Sequence, residues 1–313
     1  MDIELSEIIN KNAGALGERD KYANKGTYGK LLVIGGSCGM SGAAYLCSLA
    51  AFRTGIGMVK VFGPECNRVI LQTALPEAMY KSMELSDGSI DKSALKESIN
   101  WADHIVVGPG LSKGTEAVEL MRVLGSDDMA EVLSSKKMLL YDADALNIIS
   151  MFINSSGHET DVDNSGEKLL SASEHIVITP HIGEMARLTG LEIDYIKAHQ
   201  KEVAKAFADK YGVNVVLKDA VTAVALKEKT GKAMLIDSGC GAMAKAGSGD
   251  VLCGFISGIT AVLGDKLNDS IPTAVFLHGR AGCIASDTVG CHSVLAEDIA
   301  NSAGKAILSC IKS

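Results

Sequence analysis

The stretch LLVIGGSCGMSGAAYLCSLAAFRTGIGMVKVFG, residues 31 to 63, decides the fold class. It opens on an apolar run that ends in two glycines, LLVIGG (31–36). SGAAYLCSLAAFRTG (41–55) follows with apolar and small residues at helical spacing and stops at a glycine. MVKVFG (58–63) is the next apolar run. Strand, glycine turn, helix and strand in that order form a parallel α/β unit. Strands covered by helices on both faces carry apolar residues without alternation.

The theme recurs downstream. HIVVGPG (104–110), KMLLYDADAL (137–146) and HIVITPH (175–181) read as buried strands ending in glycine or polar turns. EIDYIKAHQKEVAKAFADKYG (192–212) has the charge mix and terminal glycine of one amphipathic helix. VNVVLKD (213–219), TAVALKE (222–228) and AMLID (233–237) predict three close strands, a meander at one sheet edge. Residues 249–262, 272–288 and 293–309 read as helices. Residues 1–28 read as an N-terminal arm with one short helix, and 29–313 as a single domain. The polar stretch SSGHETDVDNSGEK (155–168) reads as a surface loop rather than a linker.

Composition narrows the function classes. The formal net charge is −8, with no block rich in lysine or arginine. That argues against electrostatic tracking of nucleic acid or an anionic membrane. An anionic ligand must then be held by local geometry such as backbone N–H groups. No apolar run approaches the roughly 20 residues that span a bilayer. The acidic start MDIELSEIIN is unlike a signal peptide, so a soluble cytoplasmic protein is expected. Cys38, Cys47, Cys66, Cys240, Cys253, Cys283, Cys291 and Cys310 form no CxxC pair and are expected to be small buried residues in a reducing compartment. The seven histidines show no metal-ligand spacing.

Ligands of parallel sheets bind outside the carboxyl ends of the strands, and the informative motifs fall there. In AKAGSGDVLCG (244–254), Gly247 and Gly249 can adopt conformations closed to other residues. The N–H groups around Gly247, Ser248 and Gly249 can therefore converge, and a helix starting there adds partial positive charge. That is an anion hole without a lysine. Asp250 either favours the first helical turn or accepts a proton from a hydroxyl attacking a phosphate held in the hole. No GxxxxGK[ST] and no strand-borne GxGxxG with its acid are present, which sets aside the P-loop and dinucleotide readings.

Three further motifs line the same rim. In VVLKDAVTAVA (215–225), Lys218 either steadies a nucleotide phosphate or is a solvated lysine of a plain hairpin. In TPHIGEMARLTG (179–190), Pro180, His181 and Glu184 fall at a strand-to-helix junction, with Thr179 expected to cap the helix and Glu184 to sit in its first turn; His181 is either structural or placed to touch substrate. In YDADALN (141–147), Asp142 and Asp144 either bind a metal–phosphate group or serve as caps.

Together NKGTYGKLLVIGGSCGMSGAAYLCSLAAFRTGIGMVKVF, PEAMY, VVGPGL, YDADALN, TPHIGEMARLTG, VVLKDAVTAV and AGSGDVLCG resemble the ADP- or ATP-dependent NAD(P)H-hydrate dehydratases, from about residue 24 onward and in the family's order. AGSGD alone indicates only the wider ribokinase-like superfamily. The resemblance implies a three-layer α/β/α ribokinase-like fold with a mostly parallel sheet. It implies ADP- or ATP-dependent repair of (6S)-NADHX or NADPHX by phosphorylation of the hydrate hydroxyl and elimination of phosphate. Carried over by position, Ala43, Gly110, His181 and Asp250 would contact the hydrated nucleotide. Lys218, Asp219, Ala220, Val221, Thr222 and Gly249 would contact the adenine nucleotide, with Mg²⁺ between phosphates and rim acids. Family members are often tetramers, so a homo-oligomer is expected. The family often has asparagine where this chain has Ser238 or Cys240. Only a short arm precedes the likeness, so no N-terminal epimerase domain is expected, and a separate epimerase would be needed to convert the other epimer. A ribokinase-like kinase of a thiazole or pyrimidine alcohol would share AGSGD but lack the TPHIGE and GMSGAA blocks. A non-catalytic nucleotide-binding regulator would not need an intact Asp250 and glycine loop.

Overall fold

Successive residues of the first strand, β1 (Lys30–Ile34), serve two different cores. Leu31 and Val33 join one apolar cluster, Leu32 and Ile34 the other, and all four are fully buried. Because side chains alternate across a strand, this two-sided burial requires helices on both faces of the sheet. The first cluster takes in the helices Ile3–Gly17, Ser41–Thr54, Ser248–Val262 and Leu267–Val289; the second takes in those at Lys92–Trp101, Asp144–Ser155 and Gln200–Tyr211. The fold is thus three-layered, α/β/α. The computed structural model describes residues 3–83, 85–86, 89–155, 164–227 and 233–311.

The remaining strands of the sheet are β2 (Met58–Pro64), β3 (Met79–Met83), β4 (His104–Val107), β5 (Met138–Tyr141), β6 (Ile176–Ile178), β7 (Asn214–Leu217), β8 (Thr222–Ala225) and β9 (Ala233–Ile236). They lie in the order β9-β8-β7-β6-β5-β4-β1-β2-β3. Pairings from β3 to β7 are parallel, whereas β7–β8 and β8–β9 are antiparallel, the expected meander at the edge. After β3 the chain returns to the other side of β1, so β1 and β4 flank a topological switch point.

Several boundaries differ from the sequence reading. The helix expected over 192–212 is two, Ile193–Ala198 and Gln200–Tyr211, separated at His199 (φ −131°, ψ 41°). Gln200, just past the break, donates from Nε2 to Asp219 Oδ2 at 2.9 Å. The helix expected from 272 begins at Leu267 and carries Pro272 inside it, and 293–309 divides into Ala296–Asn301 and Ala303–Ile311. The N-terminal helix is no short arm. Ile3–Gly17 buries Leu5, Ile8 and Ile9 in the first core, packing on Leu267–Val289 and Ala303–Ile311. Within the polar stretch 155–168, residues 156–163 lie outside the described residues, and Ser165–Ser171 is helical. The expectation of buried cysteines holds for Cys47, Cys253 and Cys310; Cys38, Cys66 and Cys291 are exposed, and Cys240 and Cys283 lie between. Among the described residues no helix is long and apolar enough to cross a membrane.

Candidate active site

The two strands at the switch point end in glycine loops that are bonded to each other. Gly36 N–H donates to the Pro109 carbonyl at 2.8 Å, and Ser37 N–H to the Gly110 carbonyl at 2.6 Å. Gly110 has φ 62°, and a Cβ there would lie 2.7 Å from the Met40 carbonyl oxygen and 2.9 Å from Ala43 Cβ. The structure thus brings Ala43 and Gly110, far apart in sequence, into contact distance at one end of the rim.

Ala43 belongs to the first turn of Ser41–Thr54, which packs against Ser248–Val262. Gly254 and Gly258 make the crossing close. A Cβ at Gly254 would meet the Cys47 carbonyl oxygen at 2.3 Å, and one at Gly258 would meet Thr54 Oγ1 at 2.0 Å. Gly247, ahead of the second helix, lies beside Leu46, so the two helices run parallel and both amino ends reach the rim. Each amino end carries partial positive charge and leaves first-turn N–H groups without helical partners.

The glycine loop is narrower than expected. Gly247 is left-handed (φ 91°), as its sequence suggests. Gly249 is not: it lies in the helix that starts at Ser248, and its missing side chain serves close approach. A Cβ at Gly249 would lie 3.3 Å from Lys218 Nζ and 3.7 Å from Asp142 Oδ2. The Ser248 N–H turns to the Lys245 carbonyl at 3.3 Å. Of the expected anion hole, therefore, Gly249 and Asp250 lie in the first helical turn, where N–H groups lack helical partners, and the Ser248 N–H serves the turn.

A buried ion pair stands opposite that helix. Lys218, directly after β7, places Nζ 2.5 Å from Oδ1 of Asp142, which directly follows β5. Asp142 is 1% exposed, and its Oδ2 accepts from the Cys253 thiol at 3.2 Å. Burial pushes Asp142 up, but the Lys218 charge together with hydrogen bonds from Lys218, Thr179 and Cys253 outweighs it and holds the carboxyl below its ordinary range. Burial likewise acts to lower Lys218, and the Asp142 and Glu184 carboxylates reverse that, so the ammonium stays charged. This removes the reading of Lys218 as a solvated hairpin lysine. It also separates the two acids of YDADALN. Asp142 enters the ion pair, whereas Asp144 begins the helix Asp144–Ser155 and accepts from Asn147 Nδ2 at 3.2 Å.

His181 neighbours Lys218 across the β6–β7 ladder. It, and not Thr179, caps the helix Ile182–Thr189. Its Nδ1 accepts from the N–H groups of Gly183 (2.9 Å) and Glu184 (3.3 Å), and the His181 N–H donates to Glu184 Oε2 at 2.8 Å. Thr179 is fully buried two residues earlier, its hydroxyl directed at the Tyr141 carbonyl (3.4 Å) and Cys253 (3.9 Å). Because Nδ1 accepts, the neutral ring carries its proton on Nε2. Burial, then Lys218 and Arg187, lower the His181 pKa and keep it neutral. Burial pushes Glu184 up to about 7.

Asp250, in the first turn of Ser248–Val262, has its pKa raised to about 7 by burial and by the Asp142 charge, against the pull of Lys218. Two carboxylates in one cleft thus differ in charge: Asp142 is a fixed anion, and Asp250 gains and loses a proton near neutrality. Environments that push neighbouring acids apart in this way assign one of them to proton transfer.

Beside these groups lies a cavity of about 750 Å³, lined by His181, Lys218, Asp219, Ala220, Thr222, Ser248 and Gly249 among others. Val221 belongs to the same turn but not to the cavity lining, while Ser238 and Cys240, at the positions departing from the resembled pattern, also line it. The sequence reading missed His278, which also lines this cavity. It packs edge-on against Phe255 at 5.4 Å, burial drives it down to about 4, and its Nε2 has no hydrogen-bond partner among the described residues. The available signal was a His-Gly pair inside an apolar helix pattern; a Cβ at Gly279 would lie 2.1 Å from Ser238 Oγ. Among the described residues no cluster of three or more His, Cys, Asp or Glu can hold a metal.

Comparisons with known proteins place the chain in a family. Residues 31–304 match a family described as NAD(P)H-hydrate dehydratase. The ADP-dependent (S)-NAD(P)H-hydrate dehydratase of Lactococcus lactis subsp. lactis is 32% identical over 277 residues, 88% of each chain. The bifunctional NAD(P)H-hydrate repair enzyme Nnr of Escherichia coli is 34% identical over 283 residues, 90% of this chain but 48% of that protein. This chain therefore spans about half the length of the bifunctional relatives it matches. The crystal structure of the ADP/ATP-dependent NAD(P)H-hydrate dehydratase of Bacillus subtilis, co-crystallized with ATP/Mg²⁺, superposes with a TM-score of 0.74 at 25% identity, covering 97% of both chains. The layering is the ribokinase-like one.

Proposed function

The chain belongs to the NAD(P)H-hydrate dehydratase family, and from that premise we propose that it restores NADH or NADPH from the (6S)-hydrate with ADP or ATP as phosphoryl donor. The observation that carries the reading is Asp250, titrating near 7 at a helix amino end and across from the Lys218–Asp142 pair.

The chemistry follows from the groups present. Hydroxide is a poor leaving group, so the hydrate hydroxyl must first be converted into a phosphate ester. Asp250 takes the hydroxyl proton as the oxygen bonds to the terminal phosphorus of the donor, and the donor's bridging oxygen departs with its bond electrons. The N–H groups of Gly249 and Asp250 and the Lys218 ammonium hold the transferring phosphoryl charge, and Asp142 keeps that ammonium in position. His181 offers its Nε2–H to the hydrated nucleotide. The ring-nitrogen lone pair then expels phosphate as the C–O bond breaks, and loss of the neighbouring carbon's proton restores the ring double bond. Turn 218–222 and the 750 Å³ cavity suit the adenine nucleotide.

Mg²⁺ fits this site as an ion carried by nucleotide phosphates and water, since Asp142 and Asp250 offer at most two carboxylates and no all-protein cage exists among the described residues. When bound it would draw charge off the phosphates. A site that accepts one hydrate epimer would be complemented by an epimerase activity that converts the other. The test is incubation with hydrated NADH and either ADP or ATP, following dihydronicotinamide absorbance. Recovery with one nucleotide is expected, and no recovery with either would overturn the reading. The thiazole or pyrimidine kinase alternative would instead give a phosphorylated alcohol and no recovery.

A further inference from the structure

Two exposed cysteines meet at the glycine loop that walls the hydrated-nucleotide end of the rim. Cys38 lies in the β1 loop and Cys66 just after β2, yet their sulfurs are 2.8 Å apart. The approach is held by a built contact. Asn67, 1% exposed, donates from Nδ2 to the carbonyls of Gly36 and Ser37 (3.2 Å to the latter), which pins the residues adjoining both cysteines. The separation exceeds a disulfide bond of about 2.05 Å by less than 1 Å, so a small side-chain rotation suffices to close it.

We propose that Cys38 and Cys66 are a reversible oxidation site that forms a disulfide with hydrogen peroxide and fixes the Gly36–Met40 loop against Gly110. The hydrogen bond between the two sulfurs raises the Cys66 pKa and favours its thiol form, so Cys38 is the sulfur assigned to attack first. Its thiolate attacks one peroxide oxygen, the O–O bond breaks, and the product is a sulfenic acid and, after protonation, water. The Cys66 sulfur then attacks Cys38, the S–O bond breaks and a second water leaves, so two thiols and one peroxide give one disulfide and two waters. The loop so fixed holds the Met40 carbonyl above Gly110, where the hydrated nucleotide is proposed to bind.

Mass mapping of unreduced peptides after peroxide treatment reads the bond without relying on the activity proposed above; only the kinetic arm rests on that reading. The expected result is a linked Cys38–Cys66 peptide that dithiothreitol reverses. With it, KM for the hydrate should rise about threefold, as for a competent population cut to a third, while KM for ADP is unchanged. Cys38→Ser and Cys66→Ser should keep the kinetics of the reduced enzyme and lose the peroxide response; either variant alone suffices if the other folds poorly. Cys38 and Cys66 remaining open to alkylation after peroxide, or a bond at Cys240–Cys283 in their place, overturns the proposal. A mapped bond with unchanged KM overturns the loop clamp.

Discussion

Replacing Asp250 by asparagine should remove activity and raise stability, the second effect growing as pH rises from about 4 to about 7. Asp250 is raised from 3.8 to about 7 in the folded protein, chiefly by burial and then by the Asp142 charge. Above its unfolded value the unfolded chain releases a proton that the folded chain retains. Stability is therefore lost as pH rises from about 4 to about 7 and stays low above that. The gap corresponds to as much as about 4 kcal/mol. Asparagine has nearly the same shape and no charge to desolvate, so Asp250→Asn escapes that cost. Thermal melts of both proteins at pH 4 and pH 8 isolate the effect, because packing differences are common to both pH values. The variant should gain several degrees relative to wild type between pH 4 and pH 8, at roughly 2 °C per kcal/mol for a chain of this size. Over the same range wild-type turnover should climb through about pH 7 as the base ionises. The variant's turnover should fall by about 100- to 10,000-fold. A melting difference that does not change with pH would refute the desolvated-base argument, and full activity in the variant would refute the assignment.

Lys218→Met should cost about 3–5 kcal/mol by stranding the Asp142 carboxylate, as should Asp142→Asn by stranding the ammonium to a lesser degree, and the double variant should be closer to wild type than the Lys218 single; urea titrations of all three test the coupling. His181→Ala should lose about 1 kcal/mol of stability with the helix cap, whereas His181→Asn should keep the cap. Both should raise KM for the hydrate by losing the Nε2 donor, and melts beside steady-state kinetics separate the two roles. Gly110→Ala should destabilise by about 1–3 kcal/mol, because φ is 62° and the added methyl would press on the Met40 carbonyl and Ala43; a chemical denaturation midpoint measures it.

The layer architecture was legible because parallel strands carry continuous apolar runs and end in glycine or polar turns, as LLVIGG and HIVVGPG do. The antiparallel edge followed from the short spacings between β7, β8 and β9. Element ends were less legible where tertiary contact overrides local pattern. His199 looks like one position in a continuous helix, yet the chain bends there and Gln200 reaches Asp219. Thr179 has the chemistry of a cap, but β6 carries it into the core and hands the cap to His181, which local preference ranks lower. The exposed pairing of Cys38 with Cys66 had no local signal, since the two sulfurs meet only because β1 and β2 are neighbours.

By itself the sequence determined the strand-and-turn grammar and the carboxylate that closes AGSGD, which depend on residues near each other along the chain, and the family, which depends on the order of several such motifs. The tertiary structure decided what each acid does. Asp142 and Lys218 lie 76 residues apart, and they meet because β5 and β7 flank β6 in one parallel sheet. That pairing keeps Asp142 ionised, and its charge, with burial, raises Asp250 toward neutrality. Charge state depends on burial and on neighbours in space, and neither is written in local sequence.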